Sequence, residues 1–191
     1  MKGHFIMNIK NIPNILSALR LAFIPLFILS FAHGKTALCA IIFIISGMTD
    51  VADGFIARRF SAESHLGRIL DPIADKLTYA TAFFCLCADG KIPAFFTVGF
   101  TAVQLCQGIG ALLIYKYSKT VVKSNIPGKA AGFSMFALCI LNLIFYDIIG
   151  NAELINLISA MVLALLICTC AVYFLQYFDF RRITIQDQNK N

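Results

Sequence analysis

The chain has 191 residues, of which 59% are hydrophobic and only 14% are charged. Ordinary soluble domains carry about 25% charged residues, so this composition excludes a soluble globular domain of this length. The formal net charge of +6 indicates membrane orientation and attraction to anionic lipid headgroups, and we expect no nucleic-acid partner.

Six apolar runs approach the roughly 20 residues that a helix needs to cross a bilayer. In chain order they cover residues 12–32, 37–57, 72–88, 92–115, 129–149 and 152–178. The connections are short and contain turn-forming residues, as in Ile126-Pro127-Gly128. The pattern predicts an all-α membrane protein with six transmembrane helices, formed by a single domain over residues 1–182. Residues 183–191 form a polar C-terminal tail, which we expect to fray.

The basic residues are distributed unevenly between the two predicted sides of the membrane. If the N-terminus is inside, fourteen of the sixteen lysines and arginines lie on the inner side, and the outer turns hold only Lys35 and Lys91. Basic residues accumulate on the cytoplasmic side of membrane proteins. The distribution therefore predicts that both termini are cytoplasmic, in a membrane of the bacterial cytoplasmic type.

Four aspartates lie at the end of the second predicted helix and the start of the third. Asp50 and Asp53 are three residues apart and Asp71 and Asp75 are four apart, so each pair lies on one face of its helix. Two such helices facing each other would place four carboxylates around one pocket, where they repel one another unless cations lie between them. Oxygen ligands suit hard cations such as Mg2+ or Mn2+, so the spacing predicts a divalent-metal site.

Each acid taken alone has an ordinary explanation. Asp71 precedes Pro72 as a helix N-cap would, and Asp75 followed by Lys76 would make a solvated pair. These explanations fail together because Asp50 and Asp75 lie inside or at the edge of apolar runs. An acid in that position is costly and points to function.

The residues around the acids favour a phosphate ligand. Gly54 and Gly67 carry no side chain, so a ligand can approach the backbone closely, and Arg58 is a planar donor suited to phosphate. A small ion-coupled transporter, the rival from another class, explains embedded acids but not this spacing, and a structural membrane protein explains none of it. The pattern therefore favours a divalent-metal diphosphate site at the inner, cytoplasmic face.

The same stretch resembles the signature of the CDP-alcohol phosphotransferase family. The string DVADGFIAR occupies residues 50–58, and Gly67, Asp71 and Asp75 follow at the spacing of that signature. The segment NIPNILSALR, residues 11–20, and the segment DPIADK, residues 71–76, resemble the subgroup that makes phosphatidylglycerol phosphate and the related cardiolipin synthases. The six-helix layout is also similar, so the resemblance covers nearly the whole chain.

The resemblance implies an enzyme that moves a phosphatidyl group from CDP-diacylglycerol to an alcohol and releases CMP. It implies that Asp50, Asp53 and Asp71 hold two divalent ions, Mg2+ or Mn2+, and that Asp75 contacts a metal and is the general base. The positions that it assigns to the CDP-lipid are Gly54, Ala57, Arg58, Ser64 and Gly67. Family members are usually homodimers with the active site near the cytoplasmic face.

The acceptor follows less directly from the sequence. A phosphate-bearing acceptor calls for extra cations, and the candidates on the inner side are Lys116, Lys123, Lys129 and Arg181. The positive-inside bias also accounts for them, although Gly128-Lys129 resembles the start of the fifth helix in phosphatidylglycerol phosphate synthases.

Two departures from that subgroup bear on the acceptor pocket. The fourth helix lacks the Arg-Glu or Arg-Asp pair of the subgroup, and residues 103–108 read VQLCQG. Lys129 is followed by Ala130-Ala131-Gly132 in place of basic and hydroxyl residues. We expect glycerol 3-phosphate as acceptor, with phosphatidylglycerol, which would give cardiolipin, as the alternative.

Overall fold

The computed structural model describes the backbone of residues 2–60, 67–118 and 126–188, and the side chains of residues 15–55, 59, 71–110, 128–172, 174 and 175. The described backbone is helical and contains no strand, so the predicted all-α class is confirmed for this part of the chain. The helices are α1 Lys2–Ala32, α2 Thr36–Phe60, α3 Gly67–Ala88, α4 Ala94–Ser118, α5 Ile126–Ile144, α6 Tyr146–Ile149 and α7 Ala152–Gln188.

Three of these helices are long and apolar enough to cross a membrane, over Ile15–Ala32, Thr36–Phe55 and Ala152–Val172. Shorter apolar stretches cover Ala94–Gly110 and Gly128–Ile144. Six long helices fall on the six predicted runs, and the crossing of the membrane by all six remains a prediction.

The largest differences between the helix bounds and the predicted runs lie at three places. α1 begins at Lys2, and α7 continues to Gln188 through part of the predicted tail. The predicted run 129–149 is divided, because α5 ends at Ile144 and one turn of helix follows. Gly150 then takes a left-handed conformation with φ 55°, which ends that turn at no steric cost to glycine.

The first compact unit comprises Met1–Lys91 and Cys139–Gly150. Within it α1 packs along both α2 and α3. Phe27 of α1 contacts Phe43 of α2, and Phe43 meets Tyr79 of α3 edge-on at 5.5 Å between ring centroids. This aromatic core holds the three helices side by side.

The second unit comprises Ile92–Leu138 and Asn151–Asn191, and in it α4 packs against α7. Gly99 permits this approach, because a Cβ atom there would lie 2.8 Å from a methyl carbon of Leu163. The Asn151 side chain accepts hydrogen bonds from the backbone N–H groups of Glu153 and Leu154 at 3.0 and 3.2 Å, which caps α7.

Large apolar side chains remain exposed on the outside of both units. They include Leu29, Ile41, Phe84, Val98 and Met161. An apolar exterior of this extent is unfavourable in water and favourable in lipid, in agreement with the apolar character of the helices.

Candidate active site

Polar side chains from the three packed helices α1, α2 and α3 converge within the first unit. α1 contributes Ser17 and Arg20, which are three residues apart and therefore lie on one face of that helix. α2 contributes Asp50 and Asp53, and α3 contributes Asp71 and Asp75. We call these six residues the acid cluster.

Arg20 lies at the centre of the acid cluster, and its side chain is only 1% exposed. Nη2 of its guanidinium lies 2.6 Å from Oδ2 of Asp53 and 3.3 Å from Oδ1 of Asp50, while Nη1 donates to Oδ1 of Asp75. One cation thus bridges acids of α2 and α3. A buried guanidinium is very unfavourable without such partners, so the acids stabilise the buried position of Arg20.

Asp71 is also attached to α1, because the buried hydroxyl of Ser17 donates a hydrogen bond to its Oδ1. α3 begins at Gly67, so Asp71 lies in the second turn of the helix and does not cap its start. The N-cap explanation of Asp71 is therefore wrong, and Pro72 lies inside the helix.

The four acids differ in their access to solvent. The Asp53 side chain is 5% exposed, whereas those of Asp50 and Asp75 are 47% and 36% exposed. Asp53 consequently lies at the base of the cluster, and Asp50 and Asp75 lie where a ligand can reach them. The cluster contains four carboxylates and one guanidinium, so its net charge is negative and attracts further cations.

The donor set suits a hard divalent ion. All four acids offer carboxylate oxygens, the ligands that Mg2+ and Mn2+ prefer, and three of them already surround one cation. As they stand, no three His, Cys, Asp or Glu side chains within the described residues are grouped closely enough to hold a metal ion. The guanidinium of Arg20 lies between the acids instead.

The predicted CDP-lipid residues are described only in part. Gly54 follows Asp53 in α2 and is partly buried. Ala57 and Arg58 belong to the last turns of α2, but their side chains lie outside the described residues. Gly67 is the first residue of α3, and Ser64 lies outside the described part of the chain.

Of the predicted acceptor cations, only Lys129 has a described side chain, and it is exposed. In the second unit it borders an open cavity of about 190 Å³, lined also by Gln104, Gln107, Gly128 and Thr169. Gln107 donates to the Thr169 hydroxyl at 3.4 Å. The backbones of Lys116 and Arg181 belong to α4 and α7, with side chains outside the described residues, and Lys123 lies outside them altogether.

Sequence reasoning assigned no role to Ser17 or Arg20. Arg20 counted there as an inner-side basic residue and as the last residue of the segment 11–20 that resembles the subgroup, whereas the structure buries it among acids. A hydroxyl and an arginine three residues apart in an apolar run were the available signal, since a membrane-embedded charge has a partner or a function.

Residues 10–176 match the family model of CDP-alcohol phosphatidyltransferases. The chain belongs to this family, as the motif spacing predicted, and is therefore an integral membrane protein of a phospholipid-synthesising enzyme family.

The chain is similar to individual phosphatidyltransferases and to a cardiolipin synthase fusion protein. A CDP-diacylglycerol–glycerol-3-phosphate 3-phosphatidyltransferase of Rickettsia bellii is 33% identical over 158 residues, covering 74% of this chain and 84% of the relative. One of the same name from Pectobacterium atrosepticum is 44% identical over 75 residues, covering 38% of this chain and 41% of the relative. A cardiolipin synthase (CMP-forming)/mitochondrial hydrolase fusion protein of Schizosaccharomyces pombe is 34% identical over 117 residues, covering 61% of this chain and 19% of the relative.

Proposed function

We propose that this protein transfers a phosphatidyl group from CDP-diacylglycerol to glycerol 3-phosphate, forming phosphatidylglycerol phosphate and CMP. The observation that carries the proposal is the convergence of Asp50, Asp53 and Asp75 on one point, with Asp71 attached to the same helix α1. The similarity to phosphatidyltransferases of that name over most of the chain supports the choice of reaction.

The membrane arrangement follows from the donor lipid. The acyl chains of the donor stay in the bilayer against the exposed apolar helix faces, and its headgroup enters the acid cluster. In this proposal all six long helices cross the membrane, the acid cluster lies at the cytoplasmic face and both termini are cytoplasmic. The inner-side excess of basic residues supports this orientation.

The acid cluster would hold two divalent ions, Mg2+ or Mn2+, through Asp50, Asp53, Asp71 and Asp75. Bound ions supply positive charge that neutralises the diphosphate and the leaving phosphate of CMP. Asp53 is suited to a fixed ligand because it is buried and held by Arg20. Chelation of the metal should abolish CMP release, and Mg2+ or Mn2+ should restore it.

Asp75 is the proposed general base. Its side chain is partly exposed, so an acceptor hydroxyl can come within hydrogen-bond distance, as proton transfer requires. The acceptor oxygen bonds to the β-phosphorus of the donor, the bond from that phosphorus to the oxygen of CMP breaks, and the hydroxyl proton passes to Asp75. Gly54, Ala57, Arg58, Ser64 and Gly67 would contact or make room for the CDP moiety.

Lys129 is the described candidate for the acceptor phosphate. Its ammonium group and the amides of Gln104 and Gln107 border one cavity, and together they offer several donors but few fixed charges. Lys116, Lys123 and Arg181 would add positive charge. Phosphatidylglycerol is the second candidate acceptor, favoured by the similarity to the S. pombe cardiolipin synthase fusion protein.

The decisive experiment is an acceptor panel with the purified full chain in detergent. CDP-diacylglycerol and Mg2+ are supplied with glycerol 3-phosphate, phosphatidylglycerol, inositol phosphate, inositol or serine, and the lipid product is identified by mass. Asp75→Asn is the inactive control. A preference for serine or inositol would refute the acceptor, and no CMP release with any acceptor would favour the transporter. Light scattering on the same sample tests the expected homodimer.

A further inference from the structure

Arg20 is the shared partner of three acids from two helices, and it uses both terminal nitrogens to contact them. Nη2 contacts Asp50 at 3.3 Å and Asp53 at 2.6 Å, and Nη1 contacts Asp75. The side chain is almost fully buried, in a helix whose other buried residues nearby are small or apolar. The acids therefore fix the guanidinium at the position where their own negative charges are closest together.

That position is also where a divalent ion would be most favourable. Mg2+ binds oxygen at about 2.0–2.1 Å, shorter than the 2.6 and 3.3 Å that separate Nη2 from the oxygens of Asp53 and Asp50. An ion shared by acids of α2 and α3 needs their oxygens closer to one centre than the guanidinium allows. In the described structure the acids are arranged around Arg20 and are not grouped for a metal.

We propose that Arg20 is an exchangeable internal counter-cation of the acid cluster. It pairs with Asp50, Asp53 and Asp75 while no divalent ion is bound, and it gives up at least part of these contacts when ions bind. The inference rests on the proposed function, because it takes the same acids as metal ligands. It assigns Arg20 a positioning role: the residue keeps the acids together between metal-binding events.

If Arg20 were only a structural clamp, its loss would have different effects from the loss of an exchangeable cation. A clamp stabilises the helices equally with and without metal, and its loss leaves metal affinity unchanged or lowers it by disordering the ligands. An exchangeable cation competes with the metal, so its loss raises metal affinity and destabilises chiefly the metal-free protein.

The first test measures Mn2+ binding to the purified full chain in detergent, without substrate, by electron paramagnetic resonance of free Mn2+. Arg20→Gln keeps hydrogen-bonding capacity but removes the charge, and we expect it to bind Mn2+ about tenfold more tightly than wild type. Arg59→Gln is the matched control: Arg59 is an exposed arginine of α2 and its loss should change the affinity by less than about twofold.

The outcomes separate the two proposals. If wild type binds Mn2+ but Arg20→Gln binds it equally or more weakly, the exchange is refuted. The proposed metal site is not refuted by that result. No Mn2+ binding by wild type refutes the metal site, and the exchange with it.

The second test follows thermal unfolding by far-ultraviolet circular dichroism, since the chain contains no tryptophan to report by fluorescence. Arg20→Gln should unfold at a lower temperature than wild type without metal, and saturating Mn2+ should remove most of the difference. An equal deficit with and without Mn2+ overturns the proposal.

If Arg20→Gln cannot be purified, Arg20→Lys distinguishes the exchangeable cation from the structural clamp. Lysine keeps the charge but replaces two donor nitrogens by one, so it should release the acids more easily and bind Mn2+ several-fold more tightly. Unchanged or weaker binding by Arg20→Lys then overturns the exchange.

Discussion

Replacing Asp75 by asparagine removes one negative charge from the acid cluster and almost no volume. Asparagine keeps one oxygen that can accept the hydrogen bond from Nη1 of Arg20, and Arg20 retains its contacts to Asp50 and Asp53. Loss of a charge-assisted hydrogen bond at a partly exposed position costs about 1 kcal/mol of unfolding free energy. The folded protein should therefore survive the substitution with its helices in place.

The catalytic effect of Asp75→Asn should be much larger than its effect on stability. A positioned general base contributes about a hundredfold to ten-thousandfold in rate, and the amide cannot accept the hydroxyl proton. We expect kcat to fall by about that factor, with a small change in the KM for CDP-diacylglycerol. The assay is CMP release at saturating Mg2+, together with thermal unfolding of the same preparation.

The matched control is Asp89→Asn. Asp89 is also partly exposed and paired with a cation, since its carboxylate lies 3.0 Å from Nζ of Lys91, but it follows the end of α3. It should keep wild-type turnover. If Asp75→Asn retains kcat within about tenfold of wild type at saturating metal, Asp75 is not the base.

Three further substitutions test the other members of the site. Asp53→Asn should raise the Mg2+ concentration for half-maximal activity by at least about tenfold, because it weakens a buried ligand, and a metal titration giving the wild-type midpoint would contradict this. Ser17→Ala should lower the unfolding free energy by about 1 kcal/mol through the lost hydrogen bond to Asp71, measured by thermal unfolding with Ser17→Thr as control. Lys129→Ala should raise the KM for glycerol 3-phosphate about tenfold and leave that for CDP-diacylglycerol unchanged, and equal changes in both would remove Lys129 from the acceptor site.

The helices and the clustering of the acids could be predicted because both depend on local spacing. Apolar runs located the six long helices, and intervals of three and four residues placed each pair of acids on one helix face. The break after Ile144 could not be predicted in this way, because the run through Phe145 stays apolar while the helix ends there. Hydropathy records where a segment is stable in lipid and not where its backbone hydrogen bonds are interrupted.

The position of Arg20 could not be derived from local spacing either. The interval between Ser17 and Arg20 places both on one face of α1, but only the packing of α1 along α2 and α3 decides that this face meets the acids. Counting basic residues by side treats every arginine as a solvated charge. That treatment does not hold for Arg20, because its charge is neutralised inside the bundle.

The residues of the acid cluster contribute both to the stability of the first unit and to the proposed reaction. The acids of α2 and α3 repel one another, and the charge of Arg20 is unfavourable inside an apolar bundle. Pairing Arg20 with the acids reduces both unfavourable terms. The aromatic contacts from Phe27 through Phe43 to Tyr79 bring the three helices together independently of these charges. A cation that enters the cluster therefore has to replace the neutralising role of Arg20 and does not have to assemble the helices. Under the proposed exchange, the same bundle holds the acids with Arg20 or with metal ions between them.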